Sequence, residues 1–110
     1  MLKKSLFVAI ASLQLLVMGT PAWAEDYVLT LKNHQFSPKE LVIPAGQKVK
    51  ITVRNQDPTP AEFESSDLNR EKVISGNAEI VVFIGPLDAG RYGFVDDFHR
   101  DTTNGTIVVK

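Results

Sequence analysis

The sequence predicts an all-β sandwich or barrel of about seven or eight short strands. Three observations point there. Apolar and polar residues alternate with period two, most cleanly from Lys48 to Arg54, where Val49, Ile51 and Val53 share one face and Lys48, Lys50, Thr52 and Arg54 the other. Turn-forming residues recur roughly every 8–12 positions. No stretch beyond residue 24 has the apolar period of a long amphipathic helix.

Taken in order, Tyr27 to Lys32 is rich in strand formers and is followed by a turn at Asn33-His34-Gln35. Phe36-Ser37-Pro38-Lys39 leads into a short strand, Glu40 to Ile43, and Pro44-Ala45-Gly46-Gln47 turns the chain into the alternating strand. Asn55 to Pro60 is a loop with two prolines, and Ala61 to Ser65 is a short strand. Ser66 to Arg70 has the composition of a single helical turn capped by Ser66 or Asp67, and Glu71 to Ile74 is extended. After the turn at Ser75-Gly76-Asn77 comes a strongly apolar strand, Ala78 to Ile84. Gly85 to Gly90 is a turn, Arg91 to Val95 a strand with Tyr92 and Phe94 on one face, Asp96 to Asn104 a polar loop, and Gly105 to Lys110 the last strand.

The N-terminus has the order of a secretory leader. Lys3 and Lys4 precede the apolar run Leu6 to Val17, then helix breakers Gly19-Thr20-Pro21, then Ala22-Trp23-Ala24 with small residues where a signal peptidase reads. Cleavage after Ala24 is expected, leaving residues 25–110 as one exported, periplasmic domain that does not span the membrane; an uncleaved N-terminal anchor is the alternative. The apolar run is shorter than the ~18–20 residues of a membrane span. Both methionines and the one tryptophan fall in the leader, and its loss moves the charge balance to 10 basic against 13 acidic residues. That mild acidity offers no footprint for nucleic acid. The chain has no cysteine, so neither a disulfide nor a thiolate nucleophile or metal ligand is available.

Two segments concentrate hard metal ligands. In Ala61-Glu62-Phe63-Glu64-Ser65, a core-facing Phe63 puts Glu62 and Glu64 together on the opposite face, where like charges repel unless solvated or bridged by a cation. A solvated face with Arg70 nearby explains the pattern equally well. In Asp96-Asp97-Phe98-His99-Arg100-Asp101, two carboxylates and an imidazole lie within four residues at a strand end, with Phe98 placed to pack beneath the loop. His34 is the weaker candidate, as a single imidazole between two strands. There is no phosphate-binding glycine loop, nucleophile elbow or zinc-protease motif.

The order of these pieces resembles the cupredoxin family. Leu41-Val42-Ile43-Pro44-Ala45-Gly46 and Val49 to Asn55 look like the first half of such a domain, and Gly90 to His99 followed by Gly105 to Val109 like its copper-loop half. The resemblance implies a Greek-key β-sandwich. It also places Asp96 where a blue-copper protein has its cysteine, His99 at the second histidine, Thr103 near the methionine, and Glu62 nearest the first histidine. A blue site needs the thiolate; this chain cannot form one.

The runs Pro60-Ala61-Glu62-Phe63-Glu64-Ser65, Asp67 to Ile74, Gly85-Pro86-Leu87 and Asp96-Asp97-Phe98-His99 resemble the small periplasmic cupredoxin components of bacterial ferrous-iron permease systems. That resemblance implies binding of copper, iron or both, with the iron permease components as partners. The implied ligands are Glu62, Glu64, Glu71, Asp96 and His99. Glu62, Asp96 and His99 would hold one ion, and Glu64 and Glu71 an auxiliary one or ion pairs with Arg70 or Lys72. Copper-dependent oxidation of Fe(II) is a further activity the family implies. The competing reading is a metal-free sandwich whose acidic end docks to a membrane transport complex.

Overall fold

A computed structural model of the protein describes residues 26–110; the expected leader and its cleavage point lie outside them. Nine strands form: β1 (Asp26–Lys32), β2 (Gln35–Ser37), β3 (Glu40–Ile43), β4 (Val49–Asn55), β5 (Ala61–Ser65), β6 (Arg70–Ile74), β7 (Glu79–Ile84), β8 (Gly90–Asp96) and β9 (Asn104–Val109), with a 3-10 turn at Asp97–His99. They build two sheets, ordered β2-β1-β4-β7 and β3-β9-β8-β5-β6. The pairs β1–β4 and β3–β9 are parallel; the other pairs are antiparallel. No helix among the described residues is long and apolar enough to cross a membrane.

Period-two patterning places the core between the sheets. Leu29, Leu31, Val49, Ile51 and Val53 from one sheet meet Phe63, Phe94, Ile107 and Val109 from the other, all buried. Phe94 is central, edge-on to Phe36 with ring centres 4.9 Å apart and tilted against Phe63 at 5.3 Å. A Cβ on Gly105 would come within 2.5 Å of the Phe94 ring, so the ring fills space that only glycine leaves.

Three local expectations are corrected. The extra strand is β2: Asn33 and His34 both adopt left-handed φ, 54° and 58°. Two such residues make a tight hairpin that folds Gln35 back beside Lys32. No helical turn forms among residues 66–70. The Ser65 hydroxyl accepts from the Leu68 N–H and the Asp67 carboxylate from the Gly93 N–H, so these side chains tie a non-helical turn to neighbouring strands while Leu68 enters the core. Phe98 does not pack beneath its loop; it is half exposed.

Candidate metal centre

At one end of the sandwich the β1–β2 turn, the β4–β5 loop and the segment after β8 converge. Asp96, last residue of β8, points inward beside Phe63 and is buried to 1% exposure. Its Oδ1 accepts from the N–H of Glu62 at 2.9 Å and of Phe98 at 3.0 Å. The second bond caps the 3-10 turn and so fixes where His99 emerges. Asp96 Oδ2 lies 3.2 Å from His99 Nδ1. The loop closes through Asp96 N–H to the Thr103 carbonyl at 2.9 Å.

His34 reaches the same place from the other sheet. Its ring centre is 4.2 Å from that of His99, and one ligand atom each from His34, Asp96 and His99 fall within 4.8 Å of one another. The buried Thr103 hydroxyl donates to the His34 carbonyl at 2.8 Å. Asp57 Oδ1 and Oδ2 accept from the N–H groups of Asn33 at 2.6 Å and His34 at 2.9 Å. Burial pushes the Asp57 carboxyl up, but those two N–H donors and the nearby imidazoles outweigh it and hold the group below the usual carboxylate range.

Asp57 is itself held. Its N–H donates to Asn55 Oδ1 at 3.0 Å, and its carbonyl accepts from Asn77. The buried Asn55 spends its amide on the carbonyls of Thr59, Ile74 and Ser75. Gly76 lets the turn approach this loop, since a Cβ there would lie 2.1 Å from the Pro58 carbonyl oxygen.

The three glutamates of interest gather elsewhere, on the outer face of the five-stranded sheet. Glu64 and Glu71 are directly opposed on β5 and β6, with Glu62 one step along the same face. Hydrogen bonding to Glu71, partial burial and repulsion from Glu71, Asp97 and Glu64 push the Glu62 carboxyl from 4.5 up to about 7. Arg100 reaches over this shelf, donating to Glu64 at 2.6 Å and to Asp97. The Arg100 guanidinium holds the Asp97 carboxyl below its usual range.

The structure thus brings Asp96 and His99 together with His34. Glu62, Glu64 and Glu71 sit with Asp97 on the adjoining shelf, joined to the first group through the Glu62 backbone. His34, Asp57 and Thr103 carry the convergence, yet the sequence places His34 and Thr103 69 residues apart. The sequence marked His34 only as a single imidazole between two strands, and Thr103 only through the cupredoxin resemblance.

The sequence matches the family of cupredoxin-like domains over residues 6–109. The chain belongs to that family. An uncharacterised protein of Rickettsia prowazekii is 40% identical over 81 residues, covering 74% of this chain. The chain spans 65% of the length of that relative. Among solved structures, the metal-binding domain of the Cu(I)-exporting P-type ATPase CopA of Streptococcus pneumoniae superimposes with a TM-score of 0.72 at 16% identity, over 84% of this chain and 91% of that one. Auracyanin A, a blue copper protein of Chloroflexus aurantiacus, gives 0.66 at 16% identity, over 78% and 98%. These likenesses establish the fold. The cupredoxin-like domain described here has no cysteine, so no blue-copper centre can form in it.

Proposed function

We propose that this cupredoxin-like domain binds a metal ion, copper in the first place, at His34, Asp96 and His99, and serves iron uptake in the periplasm. The observation that carries the reading is the convergence of two imidazoles and a carboxylate within 4.8 Å. The donor set fits the ion. Imidazole and carboxylate without thiolate suit a tetragonal copper(II) or a non-haem iron site. An ion ~2.0 Å from one nitrogen of each ring would lie roughly 3 Å from each ring centre. Rings 4.2 Å apart at their centres therefore allow neighbouring coordination positions on one ion. When bound, copper supplies a one-electron redox couple. His34 and His99 would bind the ion through their rings, and Asp96 would orient His99 and add negative charge close by.

The iron role rests on the resemblance of Ala61-Glu62-Phe63-Glu64-Ser65 and Asp67 to Ile74 to iron-permease cupredoxins, and on the shelf. Its carboxylates offer the hard oxygen donors that iron as cargo prefers, and Fe(III) more than Fe(II). Iron permease components are the partners this role requires. A second reading draws on Arg100, which already neutralises Glu64 and Asp97: the shelf then docks to a transport complex without holding an ion itself.

Metal analysis of protein purified from the periplasm without chelators, followed by calorimetric titration with Cu(II), Fe(III) and Zn(II), tests the proposal. Stoichiometric copper that is lost in His34→Ala and His99→Ala supports it. Unchanged affinity in both variants overturns the site. Iron bound only when the shelf glutamates are intact supports the cargo role, and no iron under any condition favours docking.

A further inference from the structure

The two histidines share a feature that neither the metal reading nor the sequence assigns. Each presents Nδ1 to a buried aspartate. His99 Nδ1 is 3.2 Å from Asp96 Oδ2, with side chains 39% and 1% exposed. His34 Nδ1 is 3.8 Å from Asp57 Oδ2, with side chains 47% and 10% exposed. The aspartates come from different elements, the end of β8 and the β4–β5 loop, and each is anchored by two backbone N–H donors. A carboxylate beside one ring nitrogen draws the proton to that nitrogen and leaves the other with its lone pair free.

We infer that Asp57 is the positioning residue of His34: it grips the left-handed Asn33-His34 turn by its backbone and faces the ring so that Nε2 is the free nitrogen, as Asp96 does for His99. The inference rests on the metal reading for its purpose but not for its geometry. Three consequences follow from the contacts. Asp57 has a backbone N–H on each of its two oxygens and is not a ligand itself, whereas both N–H groups on Asp96 go to Oδ1 and leave Oδ2 clear of the backbone. Its distance to Nδ1 exceeds a hydrogen bond, so its hold on the ring is electrostatic, and its direct hold is on the backbone. Thr103 restrains the same residue through its carbonyl, which fixes the turn but says nothing to the ring. The two restraints are therefore separable by mutation: removing Asp57 alters ring and turn, removing the Thr103 hydroxyl alters the turn alone.

Long-range proton–nitrogen correlation spectra of the metal-free, nitrogen-15-labelled protein, taken where both imidazoles are neutral, read the tautomers directly. Both rings are expected as the Nδ1–H form, which is the minor form of free imidazole side chains in water. In Asp57→Asn, His34 is expected to revert to the Nε2–H form while His99 keeps its own. In Thr103→Val, both keep the Nδ1–H form. An Nε2–H form of His34 in the unmutated protein overturns the inference, with no variant needed; so does an unchanged His34 signal in a folded Asp57→Asn protein. Cu(II) added to the same samples separates this inference from the one beneath it. A loss of roughly tenfold in Cu(II) affinity in Asp57→Asn, with one imidazole nitrogen fewer in the electron-spin-echo spectrum, supports both. Absence of copper binding by the unmutated protein, with the tautomers as expected, sinks the metal reading and leaves the role of Asp57 standing.

Discussion

The His34–His99 end and the Glu62–Glu64–Glu71–Asp97 shelf adjoin each other: Asp96 and Asp97 are consecutive residues, and the Glu62 N–H donates to Asp96. In the first, carboxylates are buried, each is fixed by two backbone N–H groups, and the imidazoles they face are open to solvent. In the second, carboxylates lie on an open sheet face and are balanced by one another's protons and by a half-exposed arginine. The aspartates of the first arrangement need no ion to hold them, because each already accepts two N–H groups of the protein. The second depends on solvent, pH and salt. A fixed arrangement and an adaptable one thus sit side by side, as the proposed resident ion and transient cargo would require.

The largest expected contrast is in stability. Asn55→Ala removes the buried side chain that ties the Asp57 loop to the buried Ile74 carbonyl and to the part-buried carbonyls of Thr59 and Ser75, at a cost of ~2–4 kcal/mol. Urea denaturation measures it. A loss below ~1 kcal/mol would show that the His34 end is not rigidly supported, and the comparison breaks at its first term.

Next is metal affinity. His99→Ala is expected to weaken Cu(II) binding by about a hundredfold or more, whereas Glu64→Gln changes it less than about threefold. Competition with a chelator of known strength measures both. The opposite ranking would make the shelf the copper site.

These expectations differ in how far the sequence alone could carry them. The strands were legible because burial imposes period two: Val49, Ile51 and Val53 are buried and Arg54 is exposed, as alternation requires. β2 was not, since three residues carry no period and its existence depends on the left-handed pair Asn33-His34. Asp96 and His99 were legible because one turn of chain holds them together. Glu62 and Glu64 were legible as a face, and the register of β6 adds Glu71 to it. The pairing of His34 with His99 was not, because it depends on which turn of one sheet meets which loop of the other. Asp57 was hidden for the same reason: in sequence it is one acid in a proline-rich loop, and only its contacts with Asn33 and His34 give it a role.

The shelf's own signature is a dependence on pH. The Glu62 carboxyl, raised from 4.5 to about 7, keeps a proton in the folded state that the unfolded chain has lost. Folding stability is therefore expected to fall as pH rises across that window and to level off above about 7. Glu62→Gln should flatten that fall, as measured by urea midpoints at stepped pH. The same slope in the variant would mean that the Glu62 carboxyl does not carry it.

The smallest effect expected is that of Arg100. Its guanidinium lies where a cation bridging Glu64 and Asp97 would sit, so it competes with any cargo for the same oxygens. Its side chain is 55% exposed, and water weakens such a competitor. Arg100→Gln is thus expected to raise the affinity of the shelf for a trivalent probe such as Tb(III) by roughly threefold at low salt, with the gain shrinking as ionic strength rises. Tb(III) luminescence titration at two salt concentrations measures it, with His99→Ala as a background that removes the neighbouring end. A gain that persists at high salt would mean that Arg100 blocks the shelf by bulk and not by charge. A loss of Tb(III) binding would mean that Arg100 holds Asp97 and Glu64 in position for the ion, making the shelf as dependent on a fixed partner as the histidine end is on Asp57 and Asp96.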